Sequence, residues 1–257
     1  MFSKLFGRKK EKPSKEGNEI IPENINWAFL GADIHSHFIP GIDDGAQVIE
    51  HSLFLIRAMQ DMGYKRIVTT PHVMIDHYPN THQIINAGLQ TLQNALKEND
   101  IDMPVRAAAE YYVDEYFSQL IEKEPLLTVH QNQVLIELSM LFEHPLMNDV
   151  FFKLQSSGYR PVLAHPERYL FFHKDLDKFN ELKDRGCLFQ LNLLSLTGYY
   201  GRNVKSIAET LLQKNMYDYC GSDMHNDRHA IALKAMLSSK AYNEVRKHSF
   251  LNSKISF

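Results

Sequence analysis

Cysteine is scarce, with two in 257 residues, Cys187 and Cys220, each inside an apolar, strand-like run. Buried free thiols in a reducing compartment fit that placement. Neither cysteine opens a Cys-x5-Arg loop, because Leu193 and Asn226 occupy the positions an arginine would need. A cysteinyl-phosphate mechanism is therefore not expected. Long apolar runs are also missing. None approaches the length of a membrane span and no secretory h-region is present, so the cytoplasm is the expected location. No Gly-rich phosphate loop follows the first expected strand, which argues against a dinucleotide-binding unit. Excess positive charge is absent. The formal net charge is −3 and no groove-like basic stretch occurs, so nucleic acid is not an expected partner.

What is present begins with a basic segment. Lys4, Arg8, Lys9, Lys10, Lys12 and Lys15 face only Glu11 before residue 16, with Phe2, Leu5 and Phe6 between them. Residues 1–26 therefore read as a flexible basic tail and linker, with a weak attraction to anionic inner-leaflet lipid or an acidic partner. Residues 27–257 show no composition break and read as one domain.

Within that domain strands and helices alternate. Strand patterns run near Phe29–His35, Arg66–Thr70, Pro104–Glu110, Gln133–Glu137, Arg160–His165, Cys187–Leu193 and Tyr217–Gly221. Helical patterns follow near Gln47–Met62, Thr81–Glu98, Val113–Glu122, Leu146–Ser157, Leu176–Arg185 and Lys205–Lys214, and one or two more finish the chain. Most strands are continuous apolar runs, as in a parallel sheet buried on both faces. The expected fold is α/β, a closed or distorted barrel of seven βα units, with a doubly wound open sheet as the alternative.

Polar residues fall where such a barrel would gather them. The stretch Asp33-Ile34-His35-Ser36-His37 ends the first strand, and Asp43-Asp44-Gly45 lies on the turn beyond. His35 and His37 are two apart, so on a strand both rings face one side. His72 ends the second strand, Glu110 the third, Glu137 lies in the fourth, His165 ends the fifth, and Asp223 and His225 end the last. Parallel βα strands share one rim at their C-terminal ends, so these groups converge. Nine donors, His35, His37, Asp44, His72, Glu110, Glu137, His165, Asp223 and His225, exceed what one ion takes and suit two or three. Imidazole mixed with carboxylate and no thiolate points to Mn, Fe or Zn. Asp43 reads as a cap for the next helix. His77, His82, His130, His144, His173, His229 and His248 read as surface histidines. Arg168 and Arg228 each follow a rim histidine by three and offer planar forks for phosphate oxygens.

The set Asp-Ile-His-Ser-His at 33–37, Thr70-Pro71-His72, Ala109-Glu110, Ile136-Glu137-Leu138-Ser139, Ala164-His165-Pro166-Glu167-Arg168 and Ser222-Asp223-Met224-His225-Asn226 resembles the polymerase-and-histidinol-phosphatase (PHP) superfamily. Within it the chain is most similar to the manganese-dependent bacterial protein-tyrosine phosphatases of capsule and exopolysaccharide operons, the CpsB/YwqE type. Gly41-Ile42-Asp43-Asp44-Gly45 and the His-Pro-Glu-Arg run carry that narrower likeness. The resemblance implies a distorted (β/α)7 TIM-like barrel with three metal ions, Mn²⁺ by preference. His35, His37, Glu110 and Asp223 would hold the first, Glu110, Glu137 and His165 the second, and Asp44, His72 and His225 the third. It also implies Arg168 and Arg228 as phosphate-binding residues, Arg228 at a shorter spacing than the pattern usually has. Asp44 and His225 are candidate proton donors to the leaving phenolate. The implied partner is a membrane-associated bacterial tyrosine autokinase controlling polysaccharide synthesis. Two other readings compete: a PHP phosphoesterase for histidinol phosphate or another small phosphomonoester, and a non-catalytic protein that binds a kinase through the same rim.

Overall fold

Apolar runs of four or five residues separated by amphipathic stretches can bury both faces of a sheet only if helices cover one of them. That arrangement is observed. The structure is a computed structural model, and it describes residues 25–257. The basic segment and the start of its linker, residues 1–24, lie outside the described residues.

Among the described residues every ladder between strands is parallel, in two sheets. One has the order β1 (Ala32–Asp33), β2 (Arg66–Thr69), β4 (Val105–Ala107). The other has the order β3 (His72–Val73), β5 (Glu110–Tyr112), β6 (Gln133–Glu137), β7 (Arg160–Ala164), β8 (Leu188–Asn192), β9 (Tyr219–Gly221). β2 and β3 are two pieces of one run, broken at Thr70-Pro71, where proline has no N–H to give a ladder. β4 and β5 are likewise split at Ala108-Ala109. Seven strand tracks result, the number expected. His72 and Glu110 therefore open second segments instead of closing the first ones.

The ladders do not close into a continuous barrel. First and last tracks meet through a single parallel bridge, Ser36 to Met224, where His37 N donates to Met224 O at 3.0 Å and Asp223 N to His35 O at 2.8 Å. Lower down, the Asn252 side chain takes the place of a ladder. Its Oδ1 accepts from Cys220 N at 3.0 Å, and its Nδ2 donates to Ala32 O at 3.0 Å and Cys220 O at 2.7 Å.

The helices α1 (Ile49–Asp61), α2 (His82–Glu98), α3 (Glu115–Leu120), α4 (Met147–Ser156), α5 (Asp177–Asp184), α6 (Arg202–Gln213), α7 (Asp227–Met236) and α8 (Lys240–Lys247) flank the tracks. Side chains of Thr81, Asp114, Asn226 and Ser239 cap α2, α3, α7 and α8. α6 starts three residues earlier than its apolar spacing suggested. Two apolar clusters lie on opposite faces of the strands. The larger, with Ile67, Val134, Leu163, Phe189 and Cys220, packs under the helices. The smaller, with Ala32, Val68, Leu135, Val162, Leu188 and Tyr219, is enclosed by the strands and is stoppered by Ile255, itself fully buried. No helix among the described residues is long and apolar enough to cross a membrane.

Candidate metal centre

The enclosed face is apolar at its lower levels and polar at the end where the strands finish. β1 stops at Asp33, so His35 and His37 stand on extended chain past it. Both still aim one way: His35 Nε2 lies 3.1 Å from Glu110 Oε2 and 3.2 Å from Asp223 Oδ1, and His37 Nε2 lies 3.5 Å from each of the same oxygens. His165 Nε2 is 3.4 Å from Glu110 Oε1 and 3.5 Å from Glu137 Oε1. His72 Nδ1 is 3.2 Å from Glu110 Oε2, and Asp44 Oδ1 is 3.5 Å from His72 Nε2 and 3.4 Å from His225 Nε2. All nine predicted donors thus meet in one cluster, with Glu110 at its centre.

Local chain geometry is bent to reach this arrangement. His165 and Asp223 are non-glycine residues in the left-handed region, at φ 32° and 49°. Such backbone costs roughly 1–3 kcal/mol and persists where surrounding contacts impose it. Tyr169 imposes it beside His165: its hydroxyl donates to Ala164 O at 2.9 Å and accepts from Leu138 N at 3.1 Å. Gly45 lets the 41–46 turn fold onto His37, where any Cβ would collide with the His37 backbone. Gly221 gives His35 and Gln190 the same clearance.

The histidines are oriented from behind. His35 Nδ1 donates to Gln190 Oε1 at 2.8 Å, His37 Nδ1 to Asp43 Oδ2 at 2.8 Å, and His225 Nδ1 to Asp223 O at 2.9 Å. With Nδ1 protonated, each Nε2 presents a lone pair to the cluster. Asp43 also accepts from Gly45 N and His72 N. It does not cap α1, whose preceding residue is Val48 with no side-chain cap, so its role differs from the expected one.

These buried atoms lack partners among the described residues: His35 Nε2, His37 Nε2, and both carboxylate oxygens of Glu110 have no hydrogen bond. Leaving such groups unmet is expensive, and a divalent cation satisfies all of them together. Donor atoms fall within ligand reach in four overlapping groups: His37, Asp44, His72 and His225; His35, His165 and Asp223; His35, His37 and Glu110; His72, Glu110 and Glu137. The donor chemistry therefore fits divalent metal. Electrostatics agree. Burial acts to lower the His35 pKa, yet Glu110 and Asp223 outweigh it and push it up to about 9. Burial, then Glu110, drives Glu137 well above the usual carboxylate range. Burial acts to raise Asp44, but His225 and its neighbours bring it down to about 2. The acids demand positive charge between them.

The cluster opens on a cleft of about 410 Å³ lined by Glu137, Arg168, Tyr200, Asp223, His225 and His229 among others. Arg168 Nη1 donates to Asp223 Oδ2 at 2.9 Å. Arg228 is exposed on the first turn of α7, its backbone N–H donating to Asn226 Oδ1 at 3.1 Å, and it is not among the residues that line the cleft. His229 takes the inward place instead. It is half-buried on the cleft wall, its Nδ1 3.1 Å from Asp223 O, so it is no surface histidine.

The sequence profile described as "Capsular polysaccharide synthesis, CpsB/CapC" matches residues 31–249. The chain belongs to this CpsB/CapC family. Relatives within the same range include Staphylococcus aureus CapC, 27% identical over 87% of this chain and 89% of that one. The tyrosine-protein phosphatase YwqE of Bacillus subtilis is 30% identical over 76% of this chain and 77% of its own. A solved structure from a study of YwqE and Streptococcus pneumoniae CpsB, described as metal-dependent tyrosine phosphatases, superposes with a TM-score of 0.72 at 26% identity, covering 85% of this chain and 96% of that one. The α/β fold with parallel sheets is thus shared with that solved structure.

Gln190, Asn192, Tyr200 and the orienting role of Asp43 were not foreseen. Polar residues at alternate positions in the otherwise apolar run Leu188-Phe189-Gln190-Leu191-Asn192 were the available signal.

Proposed function

We propose that this CpsB/CapC chain is a metal-dependent protein-tyrosine phosphatase, hydrolysing phosphotyrosine monoesters on a bacterial tyrosine autokinase that controls capsular or exopolysaccharide synthesis. The observation that carries the reading is the meeting of unpaired, oriented His and carboxylate donors with a guanidinium on one open cleft. The ligand set proposed is His35, His37, Asp44, His72, Glu110, Glu137, His165, Asp223 and His225, for three ions, Mn²⁺ by preference. Bound divalent ions supply Lewis-acid stabilisation of the phosphoryl oxygens and an activated water.

The chain's own groups do the rest. Arg168 lines the cleft with one N–H arm on Asp223, which leaves its remaining donors for the equatorial oxygens of a bound phosphoryl group, where charge builds as it transfers. Asp223 divides its carboxylate: Oδ2 serves Arg168 and Oδ1 serves the histidines. Asp44 is half exposed at the mouth and stays anionic, so we assign it as a ligand and not as the proton donor. A phenolate leaves readily and needs little proton assistance, and His225, with Nδ1 donating to Asp223 O and Nε2 turned to the cluster, is assigned like Asp44 as a ligand. Water enters at phosphorus, the P–O(aryl) bond breaks, and phenol and inorganic phosphate result.

We further propose residues 27–257 as the catalytic domain, working in the cytoplasm, with the basic segment 1–26 drawing it toward an anionic membrane face. Deleting 2–20 then lowers co-fractionation with membrane and leaves peptide turnover intact.

The deciding experiment measures phosphotyrosine-peptide hydrolysis with added Mn²⁺ for wild type, Asp223→Ala/His225→Ala, and Arg168→Ala. Activity should require the metal, vanish in the double variant, and fall about 100- to 1000-fold in kcat for Arg168→Ala. A higher kcat/KM for histidinol phosphate than for the peptide would overturn the substrate assignment.

A further inference from the structure

Six of the seven strand tracks present a candidate metal ligand at or just beyond their upper ends. The exception is β8, which ends in Gln190 and Asn192, both fully buried. Gln190 holds His35, and Asn192 has several partners on separate elements. Its backbone N–H donates to Glu167 Oε1 at 3.0 Å, tying down the turn that carries Arg168. Its Nδ2 donates to Asp223 Oδ2 at 2.8 Å and to the Tyr200 hydroxyl at 3.2 Å. Its Oδ1 accepts from Leu194 N at 2.9 Å, capping the 3-10 turn Leu193–Thr197 that leads toward Tyr200.

Tyr200 closes a ring of contacts. The Arg168 guanidinium carbon lies 4.3 Å from the centre of the Tyr200 ring, over its face, while Arg168 Nη1 holds Asp223 Oδ2. The circuit runs Arg168, Asp223, Asn192, Tyr200 and back to Arg168. An arginine in a wet cleft samples many rotamers and must be ordered when an anion arrives. Stacking one face on an aromatic ring and fixing one arm removes that ordering step from binding.

We propose that Asn192 and Tyr200 are positioning residues for phosphoryl recognition: Tyr200 holds the Arg168 guanidinium flat and aimed into the cleft, and Asn192 fixes both Tyr200 and the outer oxygen of Asp223. The inference rests on the phosphatase reading for the meaning of Arg168. Its geometry concerns anion binding alone. Asn192 also keeps Asp223 Oδ2 occupied, so that Oδ1 remains directed at His35 and His37.

The test uses full-length, manganese-loaded protein and three readouts: inorganic phosphate binding by calorimetry, manganese content by elemental analysis, and kcat and KM for a phosphotyrosine peptide. Tyr200→Leu should weaken phosphate binding about threefold to thirtyfold, the range of a partly desolvated cation–π contact, with manganese content unchanged. KM should rise more than kcat falls. Tyr200→Phe keeps the ring and should restore most of the binding. Asn192→Ala should lower both phosphate affinity and manganese content, since it also frees Asp223. In an Arg168→Ala background, Tyr200→Leu should add no further loss. Equal losses with and without Arg168, or unchanged phosphate binding in Tyr200→Leu, overturn the proposal. If the leucine variant loses its melting transition, Tyr200→Met repeats the comparison under the same criteria. Wild-type protein that binds manganese and phosphate yet leaves phosphotyrosine intact sinks the phosphatase reading without touching the clamp.

Discussion

Gln190 and Asp43 never reach the cleft, yet each decides which nitrogen of a buried histidine carries its proton. Losing such an acceptor typically weakens a metal site about 10- to 100-fold. Gln190→Leu should therefore lower manganese affinity by that factor in a chelator competition, with the fold retained by circular dichroism. Unchanged affinity would show that His35 is fixed by other contacts. The thiols offer a complementary check. Burial pushes Cys187 up to about 12 and Cys220 higher than an ordinary thiol, so neither supplies thiolate near neutrality. Iodoacetamide should leave turnover unaltered, and rapid inactivation by it would implicate a cysteine after all. The convergence of the candidate ligands was legible because the histidine and carboxylate residues stand at strand ends, where a parallel arrangement must collect them. Their supports were not, since His35 and Gln190 are 155 residues apart and pair only through folding. Arg228, read from its spacing of three after His225, is exposed on the first turn of α7, with its N–H held by Asn226 Oδ1.

Elements were readable where pattern and length agreed. The helices fell within a few residues of their apolar spacing, and β6, β7 and β8 matched their runs. The breaks at Thr70-Pro71 and Ala108-Ala109 were less visible, because a kinked track and a straight one share the same apolar content. How the first track joins the last was invisible, for it rests on one short bridge and one amide side chain. Asn252→Ala leaves Ala32 O, Cys220 N and Cys220 O unmet in the interior. The cost should be about 3 kcal/mol, a fall in Tm of about 6–12 °C. A shift under 2 °C in calorimetry would mean that water or a backbone shift repairs the joint.

Taken whole, the molecule concentrates its buried ionisable groups at one end of the strands and its apolar filling at the other. Ligands that bind only the folded state stabilise it by mass action, about 2.7 kcal/mol per site at a hundredfold excess over Kd. Chelation should lower Tm by about 5–10 °C for each ion removed, relative to manganese-loaded protein, and Mn²⁺ should restore it. No difference on chelation would deny the centre any hold on the fold. The joint at Asn252 has a further consequence, one of timing. Ala32 finds this partner 220 residues later in the chain. At about 5–20 residues per second, β1 emerges from synthesis about 10–45 s before the side chain that seals its open edge exists. During that interval the young chain carries an unsealed parallel edge, the kind that captures strands from neighbours. A ribosome halted before codon 252 should thus release a product that aggregates, although every proposed metal ligand has already been made.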